Sequence, residues 1–260
     1  MRIRETVPEQ TREWVSELTS IGQAEDVEFA PMPRRETGTL TLAAQRVSDS
    51  VARVEAMREP HAVFWDEWNR EAINAEGPLW VALGDSSTQG IGAPNPLNSW
   101  VPRILELLHE RTGDPWRVIN LSITGGQFTD IIEHELPRLG ELEKAGHKPE
   151  LATMIAGANN IMAPASWKGA NGELEQILHA LPRRSVVARV GVSSPFNSIM
   201  ARRFTSTIER VGAQRDFELF WPWNWPSLDG MAEDKFHPNP KGYGYMTDII
   251  WKRVCAALDV

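Results

Sequence analysis

The chain has 260 residues, of which 42% are hydrophobic and 24% are charged, a composition typical of a globular protein with a sizeable core. Its formal net charge of −8 and isoelectric point near 5.4 argue against nucleic acid or an anionic membrane surface as the main partner. Cys255 is the single cysteine, which excludes an intramolecular disulfide.

The N-terminal sequence MRIRETVPEQTREW lacks the apolar stretch of a signal peptide. No run of about 18 apolar residues indicates a membrane span. We therefore expect a cytoplasmic protein without an integral membrane segment. The sequence gives no indication of its oligomeric state.

Residues 1–77 are predicted to form a mostly helical extension that packs on the main domain. Within them, apolar residues at steps of three and four predict a helix from about Thr41 to Arg58. A second helical stretch is predicted over residues 61–76. The main domain then comprises residues 78–260.

After Pro78, apolar runs of strand length alternate with amphipathic segments of helix length. The runs are LWVAL (79–83), WRVINL (116–121), LATMIA (151–156), SVVARVGV (185–192) and FELFW (217–221). The segments between and after them include SWVPRILELLHERTG, FTDIIEHELPRLGELEKAG, GELEQILHAL and NSIMARRFTSTIERVGA, with a last helix after Asn239-Pro240. Near-continuous apolar strands alternating with helices predict a doubly wound α/β domain with a five-stranded, mainly parallel sheet.

Polar and glycine-rich loops follow several of these predicted strands. They are Gly84-Asp85-Ser86, Asn120 to Gly126, Gly157 to Asn160, and Asp234 to Pro238 before the last helix. Right-handed crossovers bring the loops after parallel strands to one edge of the sheet, where ligands bind in such folds. We therefore expect these four loops to converge.

The converging loops contain every group that acyl transfer by a serine requires. Ser86 is the candidate nucleophile, His237 the base and Asp234 the carboxylate that orients the imidazole. The candidate oxyanion donors are the backbone N–H groups of Ser86 and Gly125 and the side-chain amide of Asn159. Glycine suits position 125 because a substrate that approaches the backbone leaves no room for a Cβ atom.

The sequence resembles the SGNH hydrolase superfamily, also called GDSL-type esterases and lipases. The similarity lies in GDSSTQG, NLSITGG, GANN and DKFHPNPKGY, and it extends over about residues 79–260. It implies a flavodoxin-like three-layer α/β/α sandwich, with Ser86, His237 and Asp234 as the triad and with Gly125 and Asn159 as oxyanion donors. It implies neither a metal nor an organic cofactor.

The motif GANN (residues 157–160) departs from the family pattern, because Asn160 stands where the family usually has an aspartate. The resemblance assigns the catalytic role, donation to the oxyanion, to the preceding residue, Asn159. The amide replaces a carboxylate that would organise neighbouring backbone donors, so we expect a less rigid loop and a shifted substrate preference.

Each of these motifs also has a purely structural interpretation. Gly, Asp and Ser are common in turns, and a D-x-x-H motif before a helix can cap that helix through Asp234 or Asn239. Ser87 is the nearest alternative nucleophile. We interpret Asp85 as a hydrogen-bond acceptor that shapes the loop.

The stretch FWPWNWPSLDGMAEDKFH places Trp221, Trp223 and Trp225 just upstream of the Asp234/His237 loop. These rings either pack on the sheet edge or form an apolar wall for the acyl or alcohol part of a substrate. A platform on which a sugar stacks is a further possibility.

The combined pattern predicts an esterase that hydrolyses carboxylic esters of small or lipid-like molecules. The same machinery serves thioesterases, lysophospholipases, carbohydrate deacetylases and acyltransferases. From another class, a non-catalytic binding protein on this fold is possible, with Asn160 as the indication. A flavodoxin-like phosphate site is disfavoured, because GDSSTQGIG does not match the G-x-G-x-x-G spacing.

Overall fold

The structure, a computed structural model, describes residues 29–191, 198–222 and 228–260. The described part of the chain begins with a segment without helix or strand and continues into α1 (Thr39–Val47), α2 (Asp49–Glu55) and α3 (Arg58–Ala72). Helical structure precedes the sheet, as the sequence predicts.

The prediction of one continuous helix from Thr41 to Arg58 is wrong. The chain leaves the helical conformation at Ser48, where φ is −140° and ψ is 108°. The Ser48 hydroxyl accepts a hydrogen bond from Val51 N–H at 3.4 Å and so caps the next helix. A serine side chain that bonds to nearby backbone favours a cap over a helix interior, and apolar spacing does not reveal this competition.

The described residues form a five-stranded parallel sheet in the order β2-β1-β3-β4-β5. The strands are β1 (Leu79–Gly84), β2 (Arg117–Asn120), β3 (Pro149–Ile155), β4 (Ser185–Ala188) and β5 (Glu218–Phe220). All residues of β1, β2 and β4 are buried, as expected for strands of a parallel sheet that is covered on both faces. The predicted doubly wound sheet is confirmed.

Helices cover both faces of the sheet. They are α4 (Ser86–Gln89), α5 (Trp100–Thr112), α6 (Phe128–Asp130), α7 (Leu136–Lys144), α8 (Ala158–Met162), α9 (Trp167–Ala180), α10 (Ser198–Arg215) and α11 (Pro240–Leu258). Helix α5 contacts α11, and α9 contacts α10. Because right-handed crossovers run one way from β1 to β2 and the other way from β2 to β5, these pairs lie on opposite faces of a three-layer sandwich.

The reversal of direction creates a switch point between β1 and β3. The loop after β1 leads toward β2, whereas the loop after β3 leads toward β4. Open α/β sheets bind their ligands in the crevice at such a point, outside the carboxyl ends of the strands. Ser86 follows β1 and Asn159 follows β3, so both residues border this crevice.

Helix α3 lies along the edge strand β2. The Trp68 indole N–H donates to Val118 O at 3.1 Å. The Asn69 amide donates to Asn120 O and accepts from Asn120 N–H, both at 2.8 Å. These bonds satisfy backbone groups that an uncovered edge strand would expose to solvent or to another chain.

In return, β2 contributes a cap to α3. The buried Arg117 guanidinium donates to Ala72 O at 3.1 Å and to Ile73 O at 2.9 Å, at the C-terminal end of the helix.

The domain boundary between residues 77 and 78 stays a prediction. Among the described helices, none has the length and apolarity needed to cross a membrane.

The helix predicted over residues 128–146 is interrupted by a π-helical turn at Ile131–Glu135. Pro137, in the first turn of α7, has no N–H to continue an α-helical hydrogen-bond ladder. The π-helical turn lies directly before this proline. The turn directs Glu135 beneath the end of β1. There the carboxylate Oε2 accepts from Gly84 N–H at 2.9 Å.

Glu135 is fully buried, and its Oε1 has no hydrogen-bond partner among the described residues. Burial raises the pKa of this carboxyl well above its usual range, against the hydrogen bond from Gly84, and the nearby Asp85 and Asp130 carboxylates raise it further. The neutral acid is therefore the form that the fold favours.

We predict that Asn69→Ala lowers the free energy of unfolding by about 2–4 kcal/mol, since each backbone group left buried and unpaired costs roughly 1–3 kcal/mol. Urea unfolding followed by tryptophan fluorescence measures the loss. Asn74→Ala, at an exposed position beyond the end of α3, is the matched control with an expected change below about 0.5 kcal/mol. Equal losses in the two variants would contradict this account of the edge contact.

Glu135→Gln is predicted to gain stability relative to the wild type as pH rises. In the wild type the folded state keeps this proton to a higher pH than the unfolded chain does, so unfolding becomes easier as pH rises above the unfolded pKa. The amide mimics the neutral acid and has no proton to lose. Urea midpoints at pH 5 and pH 9 test this, with the exposed Glu143→Gln as control. Parallel pH profiles for Glu135→Gln and wild type would refute it.

Candidate active site

The Ser86 turn follows β1 directly. Asp85 caps the single turn of α4, where its Oδ1 accepts from Ser87 N–H at 3.0 Å and from Ser87 Oγ–H at 2.9 Å. The Asp85 N–H donates to Ile155 O of β3 at 3.2 Å. Asp85 thus shapes the loop, as predicted, and Ser87 Oγ is engaged with it. Burial raises the pKa of the Asp85 carboxyl, against the bonds from Ser87 and the charge of His237.

Four carbonyl oxygens of residues 87–91 accept hydrogen bonds from buried side chains of other elements. The pairs are Trp100 to Ser87, Asn120 to Thr88 and Trp65 to Gln89, each at 3.0 Å, and Tyr243 to Ile91 at 2.7 Å. A one-turn helix cannot satisfy its own carbonyls, so these donors fix its position. The sequence did not reveal this role, because apolar periodicity does not show where an indole N–H or a buried hydroxyl donates.

The three residues predicted as a triad form one hydrogen-bonded line. Ser86 Oγ lies 2.9 Å from His237 Nε2. On the far side of the ring, His237 Nδ1 lies 2.6 Å from Asp234 Oδ2. The residues are separated by up to 151 positions in the chain, and Ser86 and His237 are both buried.

Asp234 is held as an anion beside the imidazole. Burial opposes its ionisation, but the hydrogen bond and charge of His237 and the N–H groups of Phe236 and His237 outweigh burial and lower its pKa. An ionised Asp234 favours the tautomer in which Nδ1 carries the proton. The Nε2 lone pair is then free to accept the Ser86 hydroxyl proton.

The alternative that Asp234 only caps the last helix does not fit. The cap of α11 is Asn239, whose Oδ1 accepts from Lys241 N–H at 2.9 Å and Gly242 N–H at 3.0 Å. Both Asp234 oxygens instead bind within the Asp234–His237 loop.

Gly92 explains how closely this loop approaches the Ser86 turn. Its φ is +98°, and a Cβ atom there would lie 2.3 Å from Pro238 O and 2.9 Å from the Cβ of His237. A larger residue would therefore push His237 away from Ser86.

Two candidate oxyanion donors are backbone N–H groups without an acceptor among the described residues, those of Ser86 and Gly125. The third, Asn159 Nδ2, donates to Gly126 O at 3.0 Å and keeps a second N–H for a ligand. This bond joins the loops after β2 and β3.

Gly125 differs from the expectation in two respects. Its φ of +79° by itself favours glycine, and the space of a Cβ atom is bordered by Arg35 and Arg58. Gly125 also lies outside the lining of the cavity described below, which contains Ser86, Asn159 and His237.

Asn160 is fully buried and contacts two neighbouring segments. Its Oδ1 accepts from Phe128 N–H at 3.0 Å, and its Nδ2 lies 3.4 Å from Ser166 Oγ. The amide therefore keeps the acceptor that a carboxylate would offer to the start of α6.

A cavity of about 760 Å³ opens beside Ser86, Asn159 and His237. Its apolar walls include Ile155, Ile161, Met162, Val190, Met231 and Phe236. Trp221 also lines it, with 45% of its surface exposed and the Arg189 guanidinium 5.6 Å from its ring centre. Trp223 and Trp225 lie outside the described residues.

Solved structures that resemble this chain include TesA, with 20% sequence identity and a TM-score of 0.54, over 69% of this chain and 99% of TesA. The psychrotrophic esterase EstA from Pseudoalteromonas sp. gives 20% and 0.55, over 70% of this chain and 99% of EstA. A variant of Axe2, an acetyl xylan esterase from Geobacillus stearothermophilus, gives 13% and 0.52, over 69% and 95%. At these identities the likeness shows a shared fold.

No curated protein sequence matches the chain. The model of the GDSL-like lipase/acylhydrolase family, in contrast, matches residues 82–245, which is more than half of the chain and includes the loops that carry Ser86, Gly125, Asn159, Asp234 and His237. The chain therefore belongs to the GDSL-like lipase/acylhydrolase family.

Proposed function

We propose that the protein is a serine esterase that hydrolyses carboxylic esters at Ser86. The observation that carries the proposal is the continuous line of hydrogen bonds from Ser86 Oγ through His237 to Asp234, at 2.9 and 2.6 Å, beside an apolar cavity. A nucleophile in contact with a base that a third group orients is the arrangement that acyl transfer requires.

In the first half of the reaction, Ser86 Oγ attacks the ester carbonyl carbon while His237 Nε2 takes the hydroxyl proton. The N–H groups of Ser86, Gly125 and Asn159 donate to the oxygen that becomes negative. As the tetrahedral intermediate collapses, the alcohol leaves with the proton from His237. Asp234 stabilises the imidazolium throughout and keeps its orientation.

In the second half, a water molecule gives a proton to His237 Nε2 and attacks the acyl carbon on Ser86. The new tetrahedral intermediate collapses with return of the proton to Ser86 Oγ. The products are the free acid and the regenerated enzyme. No step needs a group beyond the substrate, water and these residues.

The cavity supports an apolar acyl group as the part of the substrate that it binds. Its walls are mostly aliphatic, thioether and aromatic side chains, and it begins at the nucleophile itself. An acyl chain there would expel water from apolar surface, which favours binding by about 0.8 kcal/mol for each buried methylene. Esters of medium-length fatty acids are therefore the proposed substrates.

Ser86→Ala is expected to lower kcat/KM for 4-nitrophenyl butyrate by about 10³-fold or more, because both the nucleophile and its proton path are lost. Ser87→Ala is the matched control, and we expect it to keep kcat/KM within about tenfold of wild type, since Ser87 Oγ contacts Asp85 instead of His237. Steady-state kinetics on matched preparations test both. Retained turnover in Ser86→Ala would overturn the proposal.

Met162 provides a test of the acyl site, because it lines the cavity at the end of α8 and is 53% exposed. We predict that Met162→Trp narrows the cavity and lowers kcat/KM for an octanoate ester more than for an acetate ester. Met162→Ala, which opens the same wall, is expected to leave the octanoate preference intact. If the tryptophan changes both esters equally, the acyl group binds elsewhere.

A further inference from the structure

An arginine that precedes the sheet in sequence contacts the loop that carries Gly125. Arg58, the first residue of α3, directs Nη2 at two carbonyl oxygens, that of Arg35 at 2.8 Å and that of Thr124 at 3.3 Å. Its Nη1 donates to Glu55 Oε2 at 3.1 Å. Only 18% of the Arg58 side chain is exposed.

The Thr124 carbonyl and the Gly125 N–H belong to the same peptide group. Because that group is planar, a donor that fixes the carbonyl oxygen also fixes the direction of the N–H on the opposite side. The donor here is charged. A cation bonded to the oxygen polarises the amide, so its N–H becomes a stronger hydrogen-bond donor.

Other contacts restrict the same loop and leave that N–H open. Thr124 Oγ1 donates to Gln89 Oε1 at 2.6 Å, and Gln89 Nε2 donates to Ser122 O at 2.7 Å. Arg58 Nη2 lies 3.6 Å from the place of a Cβ atom on Gly125, so the guanidinium packs against the Gly125 backbone. Among the described residues, the Gly125 N–H has no acceptor.

We propose that Arg58 is a positioning residue of the oxyanion site, which orients and polarises the Thr124–Gly125 peptide without touching the substrate. This inference rests on the proposed esterase function. It gives the helices before the sheet a part in transition-state stabilisation. The competing interpretation is that Arg58 only fixes the segment around Arg35 to the domain.

Arg34 supplies the matched control, because it stabilises the same segment without contacting the Gly125 loop. Its guanidinium donates to Asp66 Oδ2 at 2.6 Å and to Met32 O at 2.7 Å. If the contribution of Arg58 were only structural, Arg34→Met and Arg58→Met would affect turnover alike.

The test measures kcat and KM for 4-nitrophenyl butyrate, together with inhibition by butylboronic acid, which forms a tetrahedral adduct on an active-site serine. We expect Arg58→Met to lower kcat about tenfold or more, with KM within about threefold, because the lost interaction strengthens as the oxyanion forms. Boronate affinity should fall in parallel. Arg34→Met should change neither kcat nor boronate affinity by more than about threefold.

Arg58→Lys keeps the positive charge but not the planar group that reaches the Arg35 and Thr124 carbonyls together, so it should lose kcat less than Arg58→Met. If Arg58→Met does not fold, a kcat of Arg58→Lys within twofold of wild type overturns the inference. A folded Arg58→Met variant with wild-type kcat also overturns the inference. Equal kcat losses in Arg34→Met and Arg58→Met overturn it as well. A wild type without Ser86-dependent hydrolysis instead removes the proposed function, and this inference with it.

Discussion

The conformation of the Ser86 turn depends on side chains from elsewhere in the fold. A helix of one turn is unstable alone, because it fixes several dihedral angles for very few hydrogen bonds. Here the indoles of Trp65 and Trp100, the Asn120 amide and the Tyr243 hydroxyl, which lie on four different elements, donate hydrogen bonds to carbonyl oxygens of residues 87–91. The turn therefore keeps the nucleophile in line with His237 only when the whole domain is assembled.

One face of α3 connects the helices before the sheet to the candidate site. Positions 58, 61, 65 and 69 share that face at helical spacing, and each bonds to a different backbone group near the site. The contacts are Arg58 to Thr124 O, His61 to Ala93 O, Trp65 to Gln89 O and Asn69 to Asn120. This helix is thus a structural partner of the loops after β1 and β2, whatever the boundary assigned to the domain.

The strands and the residues at their ends could be predicted from sequence, because burial on both faces makes a parallel strand nearly all apolar and its polar loop stands out. The polar loops predicted to converge do bring Ser86, His237 and Asp234 within hydrogen-bonding distance of one another. The break at Ser48 and the π turn before Pro137 were not predicted, since local hydrogen bonds decide them. Nor were the contacts of Asn69 and Arg58, which join distant segments. Polar residues at helical spacing on an otherwise apolar face were the available signal.

The proposed esterase function requires Ser86 to be the nucleophile, with the oxyanion among the N–H groups of Ser86, Gly125 and Asn159. A crystal structure of the wild-type protein treated with a fluorophosphonate tests this most directly. The account predicts phosphorus bonded to Ser86 Oγ, with the phosphoryl oxygen within about 3.2 Å of those three nitrogens. An adduct on Ser87, or folded protein that remains unlabelled, would contradict it.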